Sequence, residues 1–176
     1  MTLILLIVAA LQSPLTVKEL AEYRLSVPVF RKFEQASRLI ATATRNDAML
    51  AGNPLFTREV SVLGDVTVVA AELEARLQRE PVLAAALRGS DISAREYTRF
   101  ALALFAARLA HGFLKSGALR LIPAGIATDN VAFVEANLVA VGAVLHTLGV
   151  EGQPDIGVRH PAICDCFNTV TTISRR

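Results

Sequence analysis

Three histidines and two cysteines carry most of the chemistry this chain could offer, and their spacing decides its kind. His111 and His146 stand toward the ends of the two most apolar helical patterns. Glu135 precedes His146 by eleven residues, about three turns along nearly the same helical line. Were the two helices to pack together, His111, Glu135, Asn137 and His146 would define a ligand-binding site inside a bundle. The spacing lacks the Glu-x-x-His signature of a di-metal carboxylate bundle. The helical rise also separates Glu135 from His146 by roughly 16 Å, too far to share one ion. The simpler expectation is that each histidine donates to the last carbonyls of its helix.

His160, Cys164 and Cys166 form the second cluster. Imidazole and thiolate suit borderline metals, but the arrangement matches none of the usual zinc spacings. In an oxidising compartment a disulfide competes with free thiols and with a metal or redox role. Cysteines two apart close only a small, strained ring, so pairing across a dimer is the alternative. The sequence leaves these readings open. No Cys-x-x-Cys-His is present for haem attachment.

Arg95 and Arg99 share one face at the start of a helix, with Tyr97 between them, and could grip a carboxylate. With Glu96 so close, the expectation is a solvated first turn with local pairing. A nucleophile elbow, a phosphate-binding glycine loop, HExxH and a dinucleotide fingerprint are all missing, which points away from an enzyme and implies no cofactor. The 18 basic and 16 acidic residues are mixed along the chain, and no basic stripe marks a nucleic-acid footprint.

Helices must position these groups. Thr16-Val17-Lys18-Glu19 and Ser93-Ala94-Arg95-Glu96 have capping-box spacing. The first predicts a short helix to about Leu25, and the second a long one to Ser116–Gly117. Pro28 suits a first turn. It opens a helix whose inner face is Phe30, Phe33, Ser37, Ile40 and Ala41, ending by Asn46–Asp47. Ser37, Thr42 and Thr44 are expected to bond back to carbonyls one turn earlier. Asp65 can cap a helix with the stripe Val66, Val69, Ala70, Leu73 and Leu77, and a short helix follows from Pro81 to Arg88 with Gly89 as its stop. A last helix runs from Thr128 or Asp129 to Leu148–Gly149. Phe100–Ala107 and Leu138–Leu145 are apolar all round, which predicts burial on every side.

The expected fold is all-α: an antiparallel bundle of four main helices plus one or two short ones, spanning residues 14–149, with an irregular tail over 150–176. Residues 1–13 contain the uncharged run Leu3–Leu11, which reads as the core of an export signal and implies a periplasmic or extracellular address. Against this, no Lys or Arg precedes Leu3, and an ordinary buried segment is the alternative. No later run is long enough to span a bilayer. The expected function is a non-enzymatic interaction or structural module, a peripheral subunit with a membrane-associated protein partner. The alternative is a carrier holding an apolar ligand or cofactor within the bundle.

Overall fold

A computed structural model describes residues 15–47 and 66–149. Within them lie seven helices and no strand: α1 (Val17–Glu22), α2 (Val27–Asn46), α3 (Val66–Arg79), α4 (Pro81–Gly89), α5 (Ala94–Lys115), α6 (Thr128–Ala136) and α7 (Leu138–Thr147). The described residues are all-α, as expected. The leader-like run, the 48–65 segment and the tail bearing His160, Cys164 and Cys166 lie outside the described residues.

Local chemistry sets several of these boundaries. At α1 the capping box is complete: the Thr16 hydroxyl accepts from the Glu19 N–H at 3.2 Å, and Glu19 accepts from the Thr16 N–H at 2.9 Å. Pro28 sits in the first turn of α2, where no N–H is needed. Its buried stripe of Phe30, Phe33, Ala36, Ser37, Ile40 and Ala41 matches the expected face. Thr42 and Thr44 bond back to Arg38 and Ile40. Ser37 does not: its hydroxyl meets that of Tyr97 in α5 at 3.1 Å, so two buried polar groups satisfy each other across the core. On α3 the inner face starts a turn later than expected, at Ala70, and Val66 is exposed.

α5 is central, with α1, α2, α3, α4 and α6 packed around it. Phe100, Ala101, Leu104 and Ala107 are buried, and the small alanines let neighbouring helices approach. Phe100 joins an aromatic cluster. Its ring lies 4.9 Å from Phe33, 6.1 Å from Phe30, 6.4 Å from Tyr23 and 6.5 Å from Phe133. These spacings suit offset and edge-on ring contacts.

The expected last helix is divided. α6 and α7 meet at 88°, with Asn137 at the corner. Its side-chain amide donates to the Phe133 carbonyl at 2.8 Å, and its own N–H reaches Phe133 and Val134. Asn137 thus competes for the carbonyls that would carry the helix onward, and its carbonyl then accepts from Val141 to begin α7. The turn lays α7 against α2 and α6. It also corrects the expected all-round burial of Leu138–Leu145. Val141, Val144 and Leu145 face inward, but Leu138 is 41% and Val139 89% exposed. Among the described residues no single helix is long and apolar enough to cross a membrane; α6 and α7 together reach that length and composition only as the bent pair.

Candidate functional site

The bend disperses the four residues expected to form an interior site. Asn137 is committed to the corner. Glu135 and His146 now sit on different helices, so the single line expected for them does not exist. Glu135 accepts from Lys115 Nζ at 2.8 Å on the surface. This bond, the Lys115 charge and a smaller attraction from His111 hold its carboxyl below the usual range. His111 is buried and His146 is exposed, so they do not share one interior.

His111 also departs from the expected capping role. Both ring nitrogens are buried without a hydrogen-bond partner among the described residues. A buried polar group left unpaired costs stability that an apolar side chain of similar size would recover. His111→Leu is therefore expected to stabilise the domain by about 1 kcal/mol, read as a higher urea midpoint at unchanged slope. A lower midpoint would show that the imidazole is paired in solution.

Arg95 and Arg99 are not a solvated first turn. Both guanidinium groups donate to Oε1 of Glu19, at 3.0 and 2.9 Å, and tie α1 to α5. Arg99 also lies over the Tyr23 ring at 6.0 Å. Ser93 caps α5 by accepting from the Glu96 N–H, but the box is only half made. Glu96 instead accepts from the Tyr23 hydroxyl at 2.6 Å. Burial first, then this bond to a carboxylate, pushes the Tyr23 phenol well above its ordinary range. Asn130 of α6 completes the fastening: Oδ1 accepts from the Leu25 N–H at 2.8 Å, and Nδ2 donates to the Tyr23 carbonyl at 2.9 Å. α1 buries none of its own residues, so its place depends on these polar bonds, on Leu15 and on Tyr23 and Leu25 against the core.

The Thr16 backbone bond, followed by the bond to Arg95, lowers the Glu19 carboxyl to about 2. A folded-state value below that of the free carboxyl stabilises the fold at higher pH. The contribution of Glu19 is complete above the ordinary carboxylate range and is lost as pH falls through that range to about 2. Amide exchange across α1, followed against pH, should accelerate over that interval. In Glu19→Gln it should already be fast at neutral pH and flat with acid. An acid response unchanged in that variant would assign it to another group.

His146 lies at the C-terminal end of α7, in a groove of about 450 Å³ with Thr147 and with Arg38, Thr42 and Arg45 of α2. The three α2 residues recur at helical spacing on one face. The sequence pattern places Arg38 outward, but only the bend brings α7 alongside it. No family model, curated protein or solved structure matches the chain.

Proposed function

We propose that this domain is a non-catalytic helical module that docks onto a protein partner in a membrane-associated complex outside the cytoplasm. The observation that carries the reading is the contrast between its polar and apolar side chains. Glu19, Tyr23, Glu96, Arg95, Arg99 and Asn130 are engaged in fastening helices to one another, in pairs that leave no assembled acid, base and nucleophile. Meanwhile Val139, at the α6–α7 corner, keeps 89% of its surface exposed beside Leu138. Leu138 and Val139 stand side by side at the corner as an exposed apolar pair, which a partner's pocket would cover. The apolar run over residues 3–11 supports the external address.

The test is native gel migration of the protein from its own cell envelopes. The wild type should migrate in a larger assembly, and Val139→Glu should release a folded monomer. Release by Val68→Glu as well, at an exposed valine on α3, would detach the reading from the corner.

A further inference from the structure

We infer that the face of α5 and α6 beneath α1 is a recognition site for the segment 15–25, which the same segment of a second copy of this chain can occupy in exchange. The inference is independent of the docking reading, which rests on Leu138 and Val139. Segment 15–25 is held much as a bound peptide is held. α1 contributes no buried residue of its own. The anchors stand four apart in sequence: Leu15 just ahead of the cap, Glu19 within the helix and Tyr23 at its end. Leu15 is 2% exposed. Glu19 takes the Arg95 and Arg99 guanidinium groups, Tyr23 gives its hydroxyl to Glu96, and Asn130 reads the backbone on either side of Arg24. These contacts depend on side-chain identity and chain direction, which apolar packing alone does not read.

Two features let the segment leave as a unit. A helix of six residues is too short to hold itself in water, so α1 is ordered by the face it lies on. Ser26, which joins the segment to α2, is extended and makes no side-chain bond to the α2 terminus. Rotation about its N–Cα bond swings the segment out and leaves the carbonyl that accepts from Phe30 in place.

Departure takes from α5 and α6 the carboxylate facing Arg95 and Arg99, the hydroxyl facing Glu96 and the backbone groups facing Asn130. Polar groups left half-buried without those partners cost stability until an equivalent segment returns. A second copy offers all of them in the same order and spacing, and so fits as the occupant. The tether decides which segment is seated. A short linker gives the chain's own segment an effective concentration of about millimolar, so in more dilute protein the closed monomer prevails and α1 screens the site.

The full chain is tested first with a fluorescent peptide of residues 15–25, followed by anisotropy, with circular dichroism as a folding control. In Glu19→Gln the chain's own segment is weakened while the site is intact. The wild-type peptide should therefore bind this variant about fivefold more tightly than it binds the wild-type protein. Placing Glu19→Gln in the peptide as well should remove that gain. A second measurement mixes full-length Arg99→Ala, which keeps a sound segment, with full-length Glu19→Gln, which keeps a sound site. Sedimentation should show a heterodimer in the mixture beyond what either variant forms alone. Absent peptide binding, equal binding by wild type and Glu19→Gln, or a mixture that sediments as its separate components do, overturns the inference.

Discussion

Phe100→Ala should destabilise the domain by about 4 kcal/mol, the largest effect expected of any single truncation in this core. Phe100 is fully buried on the central helix, and its ring meets Phe30 and Phe33 of α2, Tyr23 at the end of α1 and Phe133 of α6. Removing it opens a cavity that no single neighbour can fill and deletes ring contacts worth about 0.5–1.5 kcal/mol each. Domains of this size have total stabilities of about 5–15 kcal/mol, so the loss takes roughly a quarter to four fifths of the whole. Urea unfolding measures it directly. Phe100→Leu, which keeps most of the volume, should cost about 1 kcal/mol and keeps the comparison available if the alanine variant does not fold. Equal costs for the two variants would mean that the cluster collapses around the gap and that Phe100 is not its hub.

The second large effect belongs to Asn130, which is 3% exposed. Its amide satisfies one backbone donor and one backbone acceptor in the segment joining α1 to α2. Asn130→Ala should cost about 2 kcal/mol, since the Leu25 N–H loses its partner and the Tyr23 carbonyl keeps only the longer bond from the Arg24 guanidinium at 3.3 Å. Asn130→Asp separates the two halves. It can still accept from Leu25, but it has no donor for Tyr23 and sets a negative oxygen against that carbonyl. Its cost should therefore be no smaller than that of alanine. Hydrogen exchange supplies the spatial readout: residues 17–25 should lose protection before the rest of the fold. Uniform loss of protection would mean that α1 and the bundle open as one unit.

The way these effects are distributed explains what could be read from residue order. Boundaries governed by neighbours a few residues apart were legible. The Thr16 and Glu19 box, Pro28 in a first turn and the inner stripe of α2 are examples. Ser93 was legible too, but only half of its box forms, because Glu96 is drawn to a tyrosine 73 residues away. The shared face of Arg95 and Arg99 was visible, but its partner Glu19 was not, since nothing local marks a carboxylate brought in by tertiary packing.

The division of the last helix is the most consequential difference. No proline or glycine stands at the corner, and the flanking apolar pattern runs on without a gap. The one signal is Asn137, a residue whose amide can compete for backbone carbonyls. Read as a polar group in a buried helix, it suggests a ligand contact; read as a helix breaker, it gives the bend. From that bend follow the separation of His111 from His146, the exposure of Val139 and the approach of α7 to the Arg38 and Arg45 face of α2.

The most direct measurement is a positional photocrosslinking series in native cell envelopes, with the reactive residue placed in turn at Val139, Ala143 and Val82. Val82, exposed on α4, is the reference. The docking account predicts one adduct of a single added mass, strongest at Val139, weaker at Ala143 and absent at Val82, and abolished when Leu138 is changed to Glu. Adducts of equal strength at all three positions, or none at the corner, would contradict it.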